Sequence, residues 1–277
     1  MSADLHCHTK ISDGSVPVEE VVSMAKRKGL SAIAVTDHDT FAGTERAEAF
    51  GRKIGIRVIP GAEFSALDFS TGRKAHILCY LCDDPERLQS LCRATGEARR
   101  KAGSAMLEKV TERYPIPAEM AVRRAEGSTC LFKQHIMHAL VDAGYAHEFF
   151  GTVYHQLFSY QDGAAYVKID YPEVHDVIGQ IHQAGGIAVL AHPAEYDSYG
   201  LLEQLASSHE IDGVEVWHPH NGPEDERKIA DAAREYGLIM TGGTDFHGMY
   251  TTNPVPIGTR TTPEEQLDRL LQKKKNR

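Results

Sequence analysis

The sequence is poor in cysteine, in tryptophan and in long apolar runs. Five cysteines in 277 residues is a small and odd number, which argues against a disulfide framework and for reduced thiols. No apolar run reaches the ~18 residues that a membrane span requires, and the N-terminal segment has no apolar signal-peptide core. Both absences predict a cytoplasmic protein without a membrane partner. Positive charge is in deficit as well. The 30 Lys and Arg against 39 Asp and Glu leave a net charge of −9, without the basic excess that holds duplex nucleic acid. The closing Lys273-Lys274-Lys275 reads as a solvated helix end. What remains is an ordinary globular composition, 42% hydrophobic and 25% charged, with one excess: 15 histidines.

Strand and helix patterns alternate along the chain. Residues 2–6, 30–36, 56–59 and 74–81 read as strands, with helices over 17–28 and 43–53; Pro60-Gly61 is read as closing the third strand. The second half repeats the pattern, with helices over 173–183, 201–208 and 224–236 and strands over 187–191, 213–217 and 238–241. Seven apolar strands separated mostly by amphipathic helices predict an α/β fold whose parallel sheet closes into a barrel. Residues 84–165 break the rhythm with helical stretches over 85–113 and 131–143 and a Pro115-Ile116-Pro117 interruption. They predict a helical insertion, either a packing appendage or a lid over the active-site face, with the barrel formed by 1–83 and 166–277.

Metal-type residues follow the strands. The first strand runs into His6 and His8 with Asp13 beyond, the second into Asp37-His38-Asp39, and the third into Glu63. The fourth carries His76, the fifth ends at His192, the sixth at His218 and His220, and the seventh at Asp245 and His247. His6 and His8 are two apart on an extended chain and so share a face. A parallel barrel gathers its strand ends on one rim, where such residues converge. Glu63 is the carboxylate type that bridges two cations, and Asp37 or Asp39 could orient an imidazole through its other nitrogen. Each piece has a plainer account, since H-x-H or Asp-His-Asp alone can be incidental; the joint pattern is what predicts metal. His147, His155, His175, His182 and His209 read as surface residues. Cys79 and Cys82 form a C-x-x-C without a second pair, and strand spacing sets them on opposite faces as core thiols, like Cys7.

The segments Asp4-Leu5-His6-Cys7-His8-Thr9, Ser12-Asp13-Gly14, Thr36-Asp37-His38-Asp39, Gly61-Ala62-Glu63, Ala191-His192-Pro193 and Gly243-Thr244-Asp245-Phe246-His247 resemble, in order, the motifs of the polymerase-and-histidinol-phosphatase (PHP) family. The resemblance implies a distorted (β/α)7 barrel and a site of two or three divalent ions. His6, His8, Glu63 and Asp245 would hold the first; Glu63, His76 and His192 the second; Asp13, His38 and His247 the third. Imidazole and carboxylate ligands suit manganese, iron or zinc.

Such a cluster stays net positive, so a phosphate is the natural guest. A metal-bridging hydroxide would be the nucleophile of a phosphomonoester or cyclic phosphodiester hydrolysis. His218 is the candidate general acid, and Asp39 a supporting catalytic residue. The insertion resembles that of smaller family members acting on nucleoside bisphosphates, which carry arginines near Lys133 and His138; a lysine and a histidine stand here instead. Cyclic ribose-type phosphates are also handled within the family. Lys133, His135, His138, Tyr166, Lys168 and Arg99 are candidate substrate contacts, Arg99 and Lys168 having a solvated surface charge as the alternative. The competing functions are an amidohydrolase-type C–N hydrolase, a nucleic-acid proofreading module and a non-catalytic metal-stabilised binding module. A small phosphorylated sugar, nucleotide or cyclic phosphate is the expected partner.

Overall fold

A computed structural model describes residues 2–276. Its strands are β1 (Ser2–Asp4), β2 (Ala32–Val35), β3 (Arg57–Asp68), β4 (Arg73–Tyr80), β5 (Ile187–Leu190), β6 (Gly213–Trp217), β7 (Ile239–Gly242) and β8 (Thr262–Pro263). They form one sheet in the order β7-β6-β5-β4-β3-β2-β1-β8. The sheet nearly closes: Leu5 N–H donates to Gly242 O at 3.2 Å, and Cys7 pairs with Phe246 in a parallel bridge. The architecture is thus the α/β barrel that the sequence predicts, with two differences.

The first difference is direction. β4 runs antiparallel to both β3 and β5, while β1–β2, β2–β3, β5–β6 and β6–β7 are parallel. An apolar strand reads the same in either direction, so the alternation could not reveal this. The second is number, since the short β8 pairs antiparallel with β1 and adds an eighth strand. Pro60-Gly61 does not end β3 either. β2 pairs with β3 as far as Pro60 and β4 takes over from Gly61, so the missing proline N–H falls where the neighbour changes.

The helices flanking the barrel are α1 (Val18–Arg27), α2 (Thr44–Ile54), α7 (Val174–Gln183), α8 (Tyr199–Ser207), α9 (Pro223–Glu235) and α10 (Glu264–Lys275). In α1 the stripe Val18, Val21, Val22 and Ala25 is buried, with acidic Glu19 and Glu20 in the first turn and basic residues in the last. Strand residues alternate as a closed barrel requires. Ala32, Ala34, Ile59, Leu78, Tyr80, Ile187, Val189 and Ile239 fill the interior together with Leu267 and Leu270 of α10. Ile33 and Val35 face α1 and α2, while Ile77, Cys79, Ala188, Leu190, Val214 and Val216 face the opposite helices.

Between β4 and β5 lie a short 3-10 turn (Pro85–Leu88) and the helices α3 (Gln89–Arg113), α4 (Ala118–Arg124), α5 (Lys133–Asp142) and α6 (Thr152–Phe158). Because β4 descends, the chain leaves it at the bottom of the barrel, where Tyr80 pairs with Ile187 at the start of β5, yet it climbs to the rim before returning. α3 makes that climb, 25 residues or roughly 37 Å at 1.5 Å each. Leu88 and Leu91, at its start, belong to the barrel's outer core; Met106, Leu107 and Val110, towards its end, join a separate cluster with α4, α5 and α6. Among the described residues no helix is long and apolar enough to cross a membrane. The thiols of Cys79 and Cys82 do not face apart: Leu81 takes a left-handed φ of +53°, and Cys82 packs against the same core cluster that holds Cys79, its thiol donating to Ala184 O at 3.3 Å.

Candidate metal centre

The inward face of each strand changes character from bottom to top. On β3 it passes from Ile59 to Glu63, on β4 from Tyr80 and Leu78 to His76, and on β6 it presents Glu215. Because β4 descends, His76 lies early in its strand yet at the height of the rim, where Ser65 is its register partner. Beyond β1 the chain holds His6 and His8 on the site side with Cys7 packed outward. Two glycines make this approach possible. A Cβ on Gly243 would lie 2.4 Å from His6 N and Cβ, and one on Gly14 would lie 2.8 Å from His8 C and O. Asp39, His192 and Asp245 hold left-handed φ values of +54°, +25° and +48°, backbone strain gathered at one rim.

Glu63 stands at the centre. Its Oε2 lies 3.3 Å from His6 Nε2, 3.2 Å from His8 Nε2 and 3.2 Å from His38 Nδ1. Its Oε1 lies 2.9 Å from His76 Nδ1 and 3.0 Å from His192 Nε2. Asp245 Oδ1 is 3.1 Å from His8 Nε2 and 3.4 Å from His6 Nε2. Asp13 Oδ1 is 3.2 Å from His247 Nε2, and its Oδ2 is 3.8 Å from His38 Nε2. All nine sequence-derived ligand candidates therefore meet in one cluster, buried or nearly so.

The donor set fits divalent cations. His6 Nε2 and His8 Nε2 meet at 3.2 Å and both also lie within 3.4 Å of Glu63 Oε2 and Asp245 Oδ1, while buried His38 Nδ1 has no hydrogen-bond partner. Several groupings bring ligand atoms within 4.8 Å of each other, among them His8, Asp13, His38 and His247; His6, Glu63 and His192; His6, His8 and Asp245; His38, Glu63 and His76; and His6, Glu215 and His218. Mixed imidazole and carboxylate sets of this kind hold transition metals.

Charge is balanced inside the cluster. Burial would raise the Glu63 carboxyl, but the imidazoles of His76, His6 and His38 hold it well below the usual range. Asp245 and Asp13 are likewise driven well down against burial, chiefly by His247. Burial opposes charge on His192 as well, yet Glu195 and Glu63 raise it to about 9, and Asp13 and Asp245 raise His247 to about 10.

The carboxylate that orients an imidazole is neither Asp37 nor Asp39. Asp37 accepts from Thr9 N (2.8 Å), Thr9 Oγ1 (2.7 Å), Ser12 N (3.2 Å) and Ser12 Oγ (2.7 Å), which fixes the loop that carries Asp13. Asp39 accepts from Ser65 N (2.9 Å), Ser65 Oγ (3.1 Å) and Arg99 Nε (3.1 Å) and touches no imidazole, so it is a structural anchor. Glu215 does the orienting. Its carboxylate is 3.0 and 3.2 Å from His6 Nδ1 and accepts the His192 N–H at 3.0 Å. A lone acid in the apolar run Gly213–Trp217 was the available signal. His218 lies 3.5 Å from Asp245 Oδ2 through Nε2, while its Nδ1 accepts the His220 N–H at 3.1 Å.

Two cavities open onto the cluster. The first, about 400 Å³, is lined by Asp13, His38, Glu63, His192, His218 and Asp245 among others. The second, about 330 Å³, shares Asp13, His38, His76, Gln134, Tyr154 and Tyr196 with it and continues under the insertion. Its further walls include Lys74, Arg99, Lys133, Tyr166, Lys168 and Tyr171. Four of the six candidate substrate contacts are there. Arg99 is no solvated surface charge but is buried, at 9% exposure, against Asp39 and over the Phe132 and Tyr171 rings. Lys168 is largely exposed and paired with Asp170 at 3.2 Å. His135 and His138 line neither cavity. His135 Nδ1 accepts the Phe132 N–H at the start of α5, and His138 Nδ1 bonds Tyr250 Oη at 2.8 Å, because both lie on the helix face turned to neighbouring chain.

Residues 4–240 match the PHP domain family. The chain is 38% identical over 256 residues to a phosphoribosyl 1,2-cyclic phosphate 1,2-diphosphodiesterase of Eggerthella lenta, covering 92% of this chain and 97% of that one. It is 30% identical over 256 residues to a 3′,5′-nucleoside bisphosphate phosphatase of Chromobacterium violaceum, covering 88% and 86%. A solved Bifidobacterium adolescentis structure, assigned as a metal-dependent phosphoesterase, superposes with a TM-score of 0.88 at 29% identity over 98% of this chain and 95% of its own. The chain belongs to the PHP domain family, and within it to the metal-dependent phosphoesterases.

Proposed function

We propose that the chain hydrolyses a small sugar or nucleotide bearing two phosphoryl groups, as a monoester or a cyclic diester. The ester to be cleaved sits over the cluster and the remote phosphate in the second cavity. The observation that carries this reading is the common wall of the two cavities. Asp13, His38 and His76 belong to both, so one small molecule can reach the cluster with one group and the lysines with the other. The two substrates named for the relatives each carry more than one phosphate linkage.

Two or three manganese, iron or zinc ions are the cofactors we assign. His6, His8, Glu63 and Asp245 would hold one, Glu63, His76 and His192 another, and Asp13, His38 and His247 a third. When bound, such ions supply an activated water and neutralise charge on phosphoryl oxygens. The chain's own groups do the rest. His218 holds its proton on Nε2, since Nδ1 already accepts a backbone N–H, and that nitrogen lies 3.5 Å from Asp245 Oδ2 in the wall of the first cavity. Through that N–H it donates a hydrogen bond to the leaving oxygen and stabilises the charge developing there. Lys133, Lys74 and Lys168 bind the remote anion, and Arg99, locked on Asp39, fixes the cavity wall. The insertion acts as a roof that keeps water from the second cavity. Five free thiols suit a cytoplasmic setting.

The test follows phosphate release by manganese-loaded protein. The panel contains sugar and nucleotide monophosphates, nucleoside 3′,5′-bisphosphates, cyclic ribose phosphates and short oligonucleotides, with His192→Asn as control. Turnover of doubly phosphorylated compounds that vanishes in the control supports the reading. Equal turnover of singly phosphorylated analogues removes the second cavity from it.

A further inference from the structure

The nine ligand candidates divide by what touches them from residues 84–165. The three assigned to the third ion are each tied to α5 or to the residue before it. Gln134 Nε2 donates to Asp13 Oδ2 at 2.9 Å, and the Phe132 ring stacks on the His38 imidazole with centroids 6.3 Å apart and 25° between the planes. His247 is reached through Tyr250, whose N–H donates to His247 O at 3.4 Å and whose Oη bonds His138 Nδ1 at 2.8 Å. The loop that carries Asp13 is pinned twice more: Thr129 N–H donates to Ile11 O at 2.9 Å and Ser128 Oγ to Ser12 O at 2.6 Å. Among the described residues, nothing in 84–165 makes a hydrogen bond or ring contact to the side chains of His6, His8, Glu63, His76, His192 or Asp245, whose partners all lie in the barrel. The first two ion positions are thus built by the barrel, the third by barrel and insertion together.

We infer that the third ion is the lock between barrel and insertion, and that Gln134 is the positioning residue that couples them. The inference rests on the three-ion assignment proposed above. The Gln134 amide occupies Asp13 Oδ2 and leaves Oδ1 facing His247 Nε2 at 3.2 Å, so the carboxylate offers the ion one aimed oxygen. Nothing on the barrel side does this job. Asp37 fixes the neighbouring loop residues, and Ser12 Oγ, 3.3 Å from Asp13 Oδ1, gives its one proton to Asp37 at 2.7 Å. Linkage then runs in both directions: a docked α5 raises affinity for the third ion, and that ion strengthens the docking of α5 by the same factor. The second cavity is what this coupling governs, because Asp13 and His38 stand in its wall beside Phe132 and Lys133. The third ion therefore sets how firmly Lys133, next in sequence to Gln134, is held where the remote phosphate is placed.

The test counts ions on the full chain. Metal-free protein is titrated with manganese, free ion is read from its electron paramagnetic resonance signal, and backbone amide exchange over 133–142 is followed by mass spectrometry. The wild type should bind three ions, and the step from two to three should slow exchange in α5. Gln134→Leu, at a half-buried position, should weaken one ion by about 10–100-fold and leave the other two unchanged. Asp13→Asn should lose the third ion and the slowing together. Three ions bound by Gln134→Leu as tightly as by the wild type, equal weakening of all three, or a third ion that leaves α5 exchange unchanged would each overturn the coupling. A wild-type chain that takes up two ions overturns it as well, while phosphate release from the substrate panel still decides the hydrolytic reading on its own.

Discussion

The carboxylate of Glu215 grips His6 at Nδ1, with oxygens at 3.0 and 3.2 Å, and so turns Nε2 of that ring toward Glu63 and Asp245. The same carboxylate accepts the backbone N–H of His192. One buried acid therefore sets two ligand candidates on different strands. Glu215→Gln keeps the shape and removes the charge. It should weaken metal affinity by about 10–100-fold, read by competition with a chromogenic chelator. Unchanged affinity would show that the ring is held by packing alone.

Asp39 and Arg99 form a buried pair joining the rim to α3, with side chains 3% and 10% exposed. Asp39→Ala leaves a guanidinium in low dielectric without its counter-charge. The expected loss is about 3–5 kcal/mol, measured as a fall in the urea midpoint of the unfolding curve. A double variant with Arg99→Met should recover part of it, because the orphaned charge is then gone.

His135 makes the start of α5 acid-sensitive. Burial lowers it from 6.5 to about 4, only partly offset by Asp13, and its neutral Nδ1 accepts the Phe132 N–H. A folded-state value below the unfolded one means the unfolded chain binds the proton first. The contribution is therefore fully present above about pH 6.5 and is lost as pH falls to about 4. Its size is about 3 kcal/mol over that window. Thermal melts of His135→Gln should lack that component of the pH dependence.

Metal uptake should release protons. Without metal, His192 and His247 titrate at about 9 and 10, because carboxylates hold their charged forms, so both are protonated at pH 7. Ligation requires neutral imidazole. Apparent affinity should rise between pH 7 and 9, and calorimetry in two buffers of different ionisation heat should show net proton release. Equal heats in both buffers would contradict this.

The cluster was legible because its ligands sit where strands end, and a barrel brings strand ends together whatever their sequence separation. His6, His38, His192 and Asp245 follow that rule, while Glu63 lies inside β3, which runs on past the rim to Asp68. His76 obeys it through a different geometry, being early in a descending strand. That reversal was hidden because Arg73–Tyr80 is buried on both faces from Ala75 onward, and such a run reads alike in either direction. Glu215 was hidden because a single acid inside an apolar strand carries no spacing. The orientation of α5 decided which of Lys133, His135 and His138 reach a cavity, and helix rotation depends on packing partners distant in sequence. Arg99 read as a surface charge because its acid, Asp39, lies 60 residues away.

The ascent of α3 divides the labour of the chain. Every ligand candidate lies outside residues 84–165, while the segment that α3 lifts into place supplies Phe132, Lys133, Tyr154, Tyr160 and other parts of the second cavity's wall. Across the boundary, Gln134 reaches Asp13 at 2.9 Å, Arg99 reaches Asp39, Ser128 Oγ donates to Ser12 O at 2.6 Å, Thr129 N–H donates to Ile11 O at 2.9 Å and His138 Nδ1 bonds Tyr250 Oη at 2.8 Å. The barrel's cluster and the insertion's cavity wall are joined through contacts of this kind. A protein engineer could graft a different roof onto this barrel at Asp84 and Ala165, keep those anchoring contacts, and change the second cavity while leaving the nine ligand candidates intact.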